Sequence, residues 1–258
     1  MKKYSHVIVR RPCKALVNGI TSGLYPGKPD YELACRQHDA YIEALRACGA
    51  EVTVLPADEQ YPDSCFVEDP AVLTRECAII TNPGAESRNG EKKGILEAVR
   101  KFYPEEKIEY ICPPGTLEGG DVMMVGDHFY VGRSARTNAE GIRQFAEILA
   151  KYGMTCSEVE LQKVLHLKTG INYLENNIML VSGEFTEKAE FASYHRVVIP
   201  EEKAYAANCI WVNDTVIVPE GYPNVLEAVK ECGYRTLVVD TSEFRKLDGG
   251  LSCLSLRF

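Results

Sequence analysis

The sequence predicts an α/β fold built from a repeated strand-strand-helix-strand unit. Three observations carry this expectation. Four amphipathic helical segments alternate with hairpin-like strand pairs. The hairpins start near residues 66, 121, 171, 209 and 251, at steps of 55, 50, 38 and 42 residues. The composition, 45% apolar and 26% charged over 258 residues, is that of a globular chain and not of a disordered one. A recurrence of about 20–50 residues suggests a radial or stacked repeat architecture, and a single mixed α/β sheet fits the same pattern. No linker or low-complexity stretch interrupts the chain. Residues 1–258 are therefore expected to form one domain.

The first helix is expected over 30–50, after Pro29, with Leu33, Ala34, Tyr41, Ile42 and Leu45 on one face and Gly49 near its stop. A second covers 90–103, carries Ile95, Leu96 and Val99, and halts at Pro104. A third covers 138–152, with Asn138 as N-cap, Ile142, Phe145, Ile148 and Leu149 as its stripe, and Gly153 beyond it. The fourth covers 224–232, with Val225, Leu226 and Val229. Each apolar stripe should cover one face of a sheet.

The strand pairs are 66–74 with 77–81, 121–125 with 128–132, 171–174 with 178–181, and 209–212 with 215–218. Their polar turns, such as Gly126-Asp127, Glu175-Asn176-Asn177 and Asn213-Asp214, are hairpin chemistry. Further strands at 51–55 and 236–240 each follow a helix.

Charge and cysteine content narrow the function. A net charge of −8 and a pI near 5.3 argue against a nucleic-acid surface, which needs clustered Lys and Arg. The balance suits a cationic small substrate. No apolar run is long enough for a membrane span or an export signal. The ten cysteines contain no C-x-x-C pair, so neither a zinc ribbon nor a thioredoxin-like motif is present. Free thiols in a reducing cytoplasm are expected, with nine of them small buried hydrophobes.

The turns that lead into the hairpins are polar and often carry glycine pairs. Around a common axis they would converge on one cavity. Cys253 follows Gly249-Gly250 and is the candidate nucleophile, although a random cysteine here reads as a buried strand residue. His166 alone among five histidines sits at such a junction, where an imidazole suits general acid–base work or simple packing. His6, His38, His128 and His195 read as strand-end or helix-surface residues. Asp63, Glu68, Asp69, Glu118 and Asp121 either cap turns or converge on a guanidinium-sized cation. Arg88 and Arg136 are surface charges or a clamp for a substrate carboxylate.

Taken together, these residues resemble the dimethylarginine dimethylaminohydrolase family of the guanidine-modifying pentein superfamily. The resemblance runs from Val17-Asn18-Gly19-Ile20-Thr21-Ser22 to the last ten residues. Its most specific stretches are Phe66-Val67-Glu68-Asp69-Pro70, Ser134-Ala135-Arg136-Thr137-Asn138 and Val164-Leu165-His166-Leu167-Lys168-Thr169-Gly170. It implies a five-bladed pentein α/β propeller. It also implies Cys253 as nucleophile, His166 as general acid and base, and Glu118 as the catalytic carboxylate. Glu68 and Asp69 would bind the guanidinium, Asp63 the α-amino group, and Arg88 and Arg136 the α-carboxylate. Ile20 would sit on a lid beside the mouth. The resemblance implies no metal and no organic cofactor, and it suggests a homodimer.

The expected reaction is hydrolysis of methylated arginines to citrulline and dimethylamine or methylamine, through a covalent Cys253 thiouronium. A deiminase or hydrolase acting on arginine, agmatine or citrulline would use the same residues. A non-catalytic binding module on the same fold is the alternative of another class.

Overall fold

The computed structural model describes residues 4–258. Residues 1–3, part of the segment in which no export signal is expected, lie outside them. The chain runs from β1 (His6–Arg10) through α1 (Tyr31–Ala47) to β2 (Glu51–Leu55). It continues with β3 (Ala71–Leu73), β4 (Ala78–Ile80), α2 (Glu91–Val99) and β5 (Ile108–Tyr110). Next come β6 (Val122–Val125), β7 (His128–Arg133), α3 (Ala139–Lys151) and β8 (Thr155–Glu160). A short α4 (Leu167–Gly170) opens onto β9 (Ile171–Tyr173), β10 (Ile178–Ser182) and β11 (His195–Ile199). The last stretch holds β12 (Ile210–Val212), β13 (Thr215–Pro219), α5 (Pro223–Glu231), β14 (Arg235–Val239), α6 (Ser242–Arg245) and β15 (Leu256–Arg257).

These strands form five three-stranded sheets, the blades of an α/β propeller. In each, the first strand is antiparallel to the middle one, and the middle one is parallel to the third. A parallel pair cannot be joined by a tight turn, so a crossover segment is required at that step. Helices α1, α2, α3 and α5 serve four blades. In the blade β9-β10-β11 two 3-10 turns replace the helix and bury Phe185 and Phe191. The remaining sheet is assembled from both ends of the chain: β15 pairs with β1 through Val7 and Arg257, and Ile8 and Leu256.

Local chemistry explains these elements. The Asp30 and Asn138 side chains accept from the Leu33 and Gly141 amides and so cap α1 and α3. Asn213 and Asp214 adopt φ of 46° and 74°, the left-handed pair that a two-residue hairpin turn needs. The middle strands β4 and β13 are buried along their full length, as strands covered on both faces should be. Core clusters lie between blades, and the expected stripes of α1 and α3 point into them.

Three expectations change. The first hairpin begins at Ala71, not at residue 66. The Glu68 amide donates to the Cys253 carbonyl and the Gly119 amide to the Asp69 carbonyl, so this stretch bonds across the molecule and not along a ladder. His38 is not on the helix surface. It is fully buried beside Phe244, because α1 is packed by α6 as well as by its sheet. Nor are all nine remaining cysteines buried: Cys112 is exposed, and Cys35, Cys156 and Cys232 are half-buried. All ten are unpaired thiols.

Candidate active site

Four lead-in turns, each entering a different blade, supply the chemistry. Residues 62–70 precede β3, Glu118-Gly119-Gly120 precedes β6, His166 precedes α4 and β9, and residues 248–254 precede β15. Close backbone approach permits this. A Cβ on Gly119 would lie 1.9 Å from the Glu68 carbonyl oxygen, and one on Gly120 would lie 2.8 Å from His166 Nδ1.

A cavity of about 50 Å³ collects Ile20, Asp63, Asp69, Arg88, Arg136, His166 and Cys253. Seven of the nine expected site residues thus line one cleft. Glu118 lies behind it with no exposed surface. Glu68 faces a second, central cavity of about 110 Å³. Leu165 and Ile20, 39% and 38% exposed, stand at the edge of the cleft.

Cys253 sits in a single 3-10 turn, Ser252–Leu254, with the Gly250 amide 3.4 Å from its sulfur. Burial pushes its pKa up to about 12, and the charges of Glu68 and Asp69 add to this against the Gly250 N–H and Lys168. The resting sulfur is therefore a thiol. His166 Nε2 lies 2.7 Å from Glu118 Oε2. Burial alone would lower the His166 pKa. The Glu118 hydrogen bond, then the charges of Asp121 and Asp69, outweigh burial and hold it at about 9. The resting imidazole is therefore an imidazolium.

Glu118 is held in turn. Its Oε1 accepts from the Ala85 amide at 3.0 Å and from Arg136 Nη1 at 3.3 Å. Asp63 accepts the Ile20 amide at 3.0 and 3.3 Å, and burial raises its pKa. Arg88 pairs with Asp69 and Glu91 and also donates to the Phe66 carbonyl. Burial opposes ionisation of Asp69, but Arg88 and then His166 hold its carboxyl below the usual range. Glu68 pairs with Lys168, lies 3.5 Å from Arg257, and accepts from Ser252 Oγ at 2.9 Å. Both expected guanidinium carboxylates thus already share protein cations.

Asp69, Glu118 and His166 offer ligand atoms within 4.8 Å of one another, a spacing that a metal ion could use. Arg88 and Arg136 lie against those carboxylates and compete for their charge.

Several supporting roles were not assigned from the sequence, that of the candidate carboxylate Asp121 among them. Asp121 Oδ1 accepts the Leu167 amide at 3.0 Å, while Oδ2 accepts from Ser134 and Thr137, each at 2.7 Å; this fixes the turn that carries His166. Asn208, the lead-in residue of the fourth hairpin, bridges the Lys168 carbonyl at 2.9 Å and the Ser252 amide at 2.9 Å. Its place at a hairpin start was the available signal. Glu91 and Lys168, partners of Arg88 and Glu68, gave no signal beyond being charged.

A family model described as "N,N dimethylarginine dimethylhydrolase, eukaryotic" matches residues 27–244. An N(G),N(G)-dimethylarginine dimethylaminohydrolase of Pseudomonas aeruginosa is 58% identical over 255 residues, covering 99% of this chain and 100% of that one. A solved structure from Pseudomonas aeruginosa, a cysteine-to-serine mutant complexed with citrulline, superposes with a TM-score of 0.98 at 57% identity and covers 100% of both chains. A histidine-to-glycine variant of a dimethylarginine dimethylaminohydrolase, solved as an adduct with S-methyl-L-thiocitrulline, gives 0.97 at 58% identity over 99% of this chain and 100% of that one.

Proposed function

The chain belongs to the dimethylarginine dimethylaminohydrolase family, and from that premise we propose that it hydrolyses Nω-methylated arginines to citrulline and dimethylamine or methylamine. The observation that carries the proposal is the pairing, on one cleft, of a Cys253 thiol with a His166 imidazolium held by Glu118.

In this reading the substrate's α-amino group meets Asp63, its α-carboxylate meets Arg88 and Arg136, and Ile20 covers it. Its guanidinium meets Glu68 and Asp69, sharing oxygens with Lys168 and Arg88. A planar donor fork suits such carboxylates. Burial keeps Cys253 protonated, and the charges of Glu68 and Asp69 add to it; the cation offsets those charges, so binding lowers the thiol's pKa and its proton leaves for solvent. The thiolate adds to the central guanidinium carbon. His166 gives its proton to the dimethylated nitrogen, the C–N bond breaks, and the amine departs neutral. A thiouronium on Cys253 remains. Neutral His166 then takes a proton from water, and the hydroxide adds to the same carbon. Collapse expels the sulfur, which regains a proton from the nascent citrulline. Glu118 keeps His166 oriented and stabilises its charged form, the third role in a nucleophile–base–orienter set.

The family resemblance supports a homodimer, which sedimentation would show as twice the 28.7 kDa chain mass. Ten unpaired thiols support a reducing, cytoplasmic location. Among the described residues no helix is long and apolar enough to cross a membrane.

The test is a direct assay. Purified protein receives dimethylarginine, monomethylarginine, arginine and agmatine, and citrulline, methylamines and ammonia are measured. Citrulline with dimethylamine is expected. Ammonia from arginine, with the methylated substrates inert, would sink the proposal.

A further inference from the structure

The central cavity is larger than the cleft, at about 110 Å³ against about 50 Å³, and the catalytic steps above leave it unused. A single layer of side chains separates the two. Glu68 lines the central cavity, while its amide donates to the Cys253 carbonyl at 3.2 Å. Ser252, the neighbour of Cys253, donates to Glu68 Oε2 at 2.9 Å. Lys168, two residues after His166, also lines the central cavity and completes the wall by pairing with Glu68. At the other end the cavity reaches partly exposed residues, Tyr4, Met124, Tyr173 and Glu175.

The lining suits a small polar guest. Lys168 and Arg257 are balanced by Glu68 and Glu175, and the Tyr4 and Asn172 side chains add polar groups. Trp211 also lines this cavity, and its indole N–H is buried with no acceptor among the described residues. About 10–15 Å³ admits one water, so the volume present accommodates a short amine.

The order of the chemical steps gives this cavity a use. The amine is released while the rest of the substrate is still bonded to Cys253 and fills the cleft toward its mouth. Ser22 is tied across that side to Asp248, its hydroxyl 2.8 Å from Oδ1, which secures the segment carrying Ile20. We propose that the central cavity is the departure route for the small amine, with the Glu68–Lys168 pair as the gate between it and the cleft. The proposal rests on the hydrolase reading above. Outward movement of Lys168 opens the gate, and its return restores the wall before water attacks the thiouronium.

Val72 and Met124 line the cavity and belong to no part of the catalytic set. The full chain carrying Val72→Phe or Met124→Trp is assayed on dimethylarginine and on monomethylarginine. Inhibition by added citrulline is measured in parallel. A passage predicts a kcat loss on the order of tenfold for dimethylarginine, where amine release becomes limiting. It also predicts a smaller loss for monomethylarginine and unchanged citrulline inhibition. Equal losses for the two substrates, or an unchanged kcat in both folded variants, overturns it. Met124 is partly exposed, so its replacement carries the test if Val72→Phe fails to fold. Wild-type protein that releases no amine defeats the hydrolase reading itself, and the passage with it.

Discussion

The 2.7 Å contact between Glu118 Oε2 and His166 Nε2 joins two buried side chains, and it decides which proton the site holds at neutral pH. Burial lowers the pKa of the imidazole; the Glu118 hydrogen bond, joined by the charges of Asp121 and Asp69, outweighs burial and holds the group at about 9. The proton needed by the leaving amine is thus in place before substrate arrives.

The first prediction concerns pH. An unfolded histidine titrates near 6.5 and His166 near 9, so the folded value is the raised one. Stability from this group is fully present below about pH 6.5 and is lost as pH rises through about 9. Melting temperature should fall across that window in the wild type and change less in Glu118→Gln. The same variant should lose activity by at least about 10²-fold, the scale of a general acid–base group. A flat melting profile in the wild type would remove the assigned proton from His166.

A second prediction concerns the sulfur. With a pKa pushed up to about 12, Cys253 should be alkylated slowly by iodoacetamide at pH 8 in the free protein. Glu68→Gln removes one of the charges that raise this value and should speed labelling. Cys253→Ser should abolish turnover while leaving the thermal melt near the wild type. Mass spectrometry of the labelled peptide and a turnover assay read both effects. Turnover that survives Cys253→Ser would falsify the mechanism.

The third prediction separates the two arginines, which sequence alone treats as equivalent. Arg88 is buried between Asp69 and Glu91, and burial already raises the Glu91 pKa to about 7. Arg88→Ala strands both carboxyls and should cost on the order of 3–5 kcal/mol of stability. Arg136 is more exposed and makes a single 3.3 Å contact with Glu118. Arg136→Ala should leave the melt nearly unchanged and mainly raise KM. Paired melts and saturation curves check this. Equal destabilisation by the two substitutions would contradict it.

Much of the architecture was legible because it is written in local code. The caps Asp30 and Asn138, the stripes of α1 and α3, and the Asn213-Asp214 turn each depend on neighbours within a few residues. The sequence resemblance supplied the set of site residues. What stayed hidden depends on distant partners. Residues 66–70 look like a strand until the Glu68 amide is found bonded to Cys253, far along the chain. His38 looks like a surface residue until α6 covers it. Lys168 and Glu91 carry no pattern of their own, and their importance comes from the buried charges they meet.

The five separate sheets have a consequence for how the protein fails. Among the described residues no sheet is hydrogen-bonded to the next as a continuous ladder, and Glu68, Glu118, His166 and Cys253 arrive on the lead-ins of four different blades. Local opening of any one of those blades disperses the site while most backbone structure survives. In rising denaturant, catalysis should therefore vanish before far-ultraviolet ellipticity does, which makes turnover the more sensitive gauge of partial unfolding in this ring.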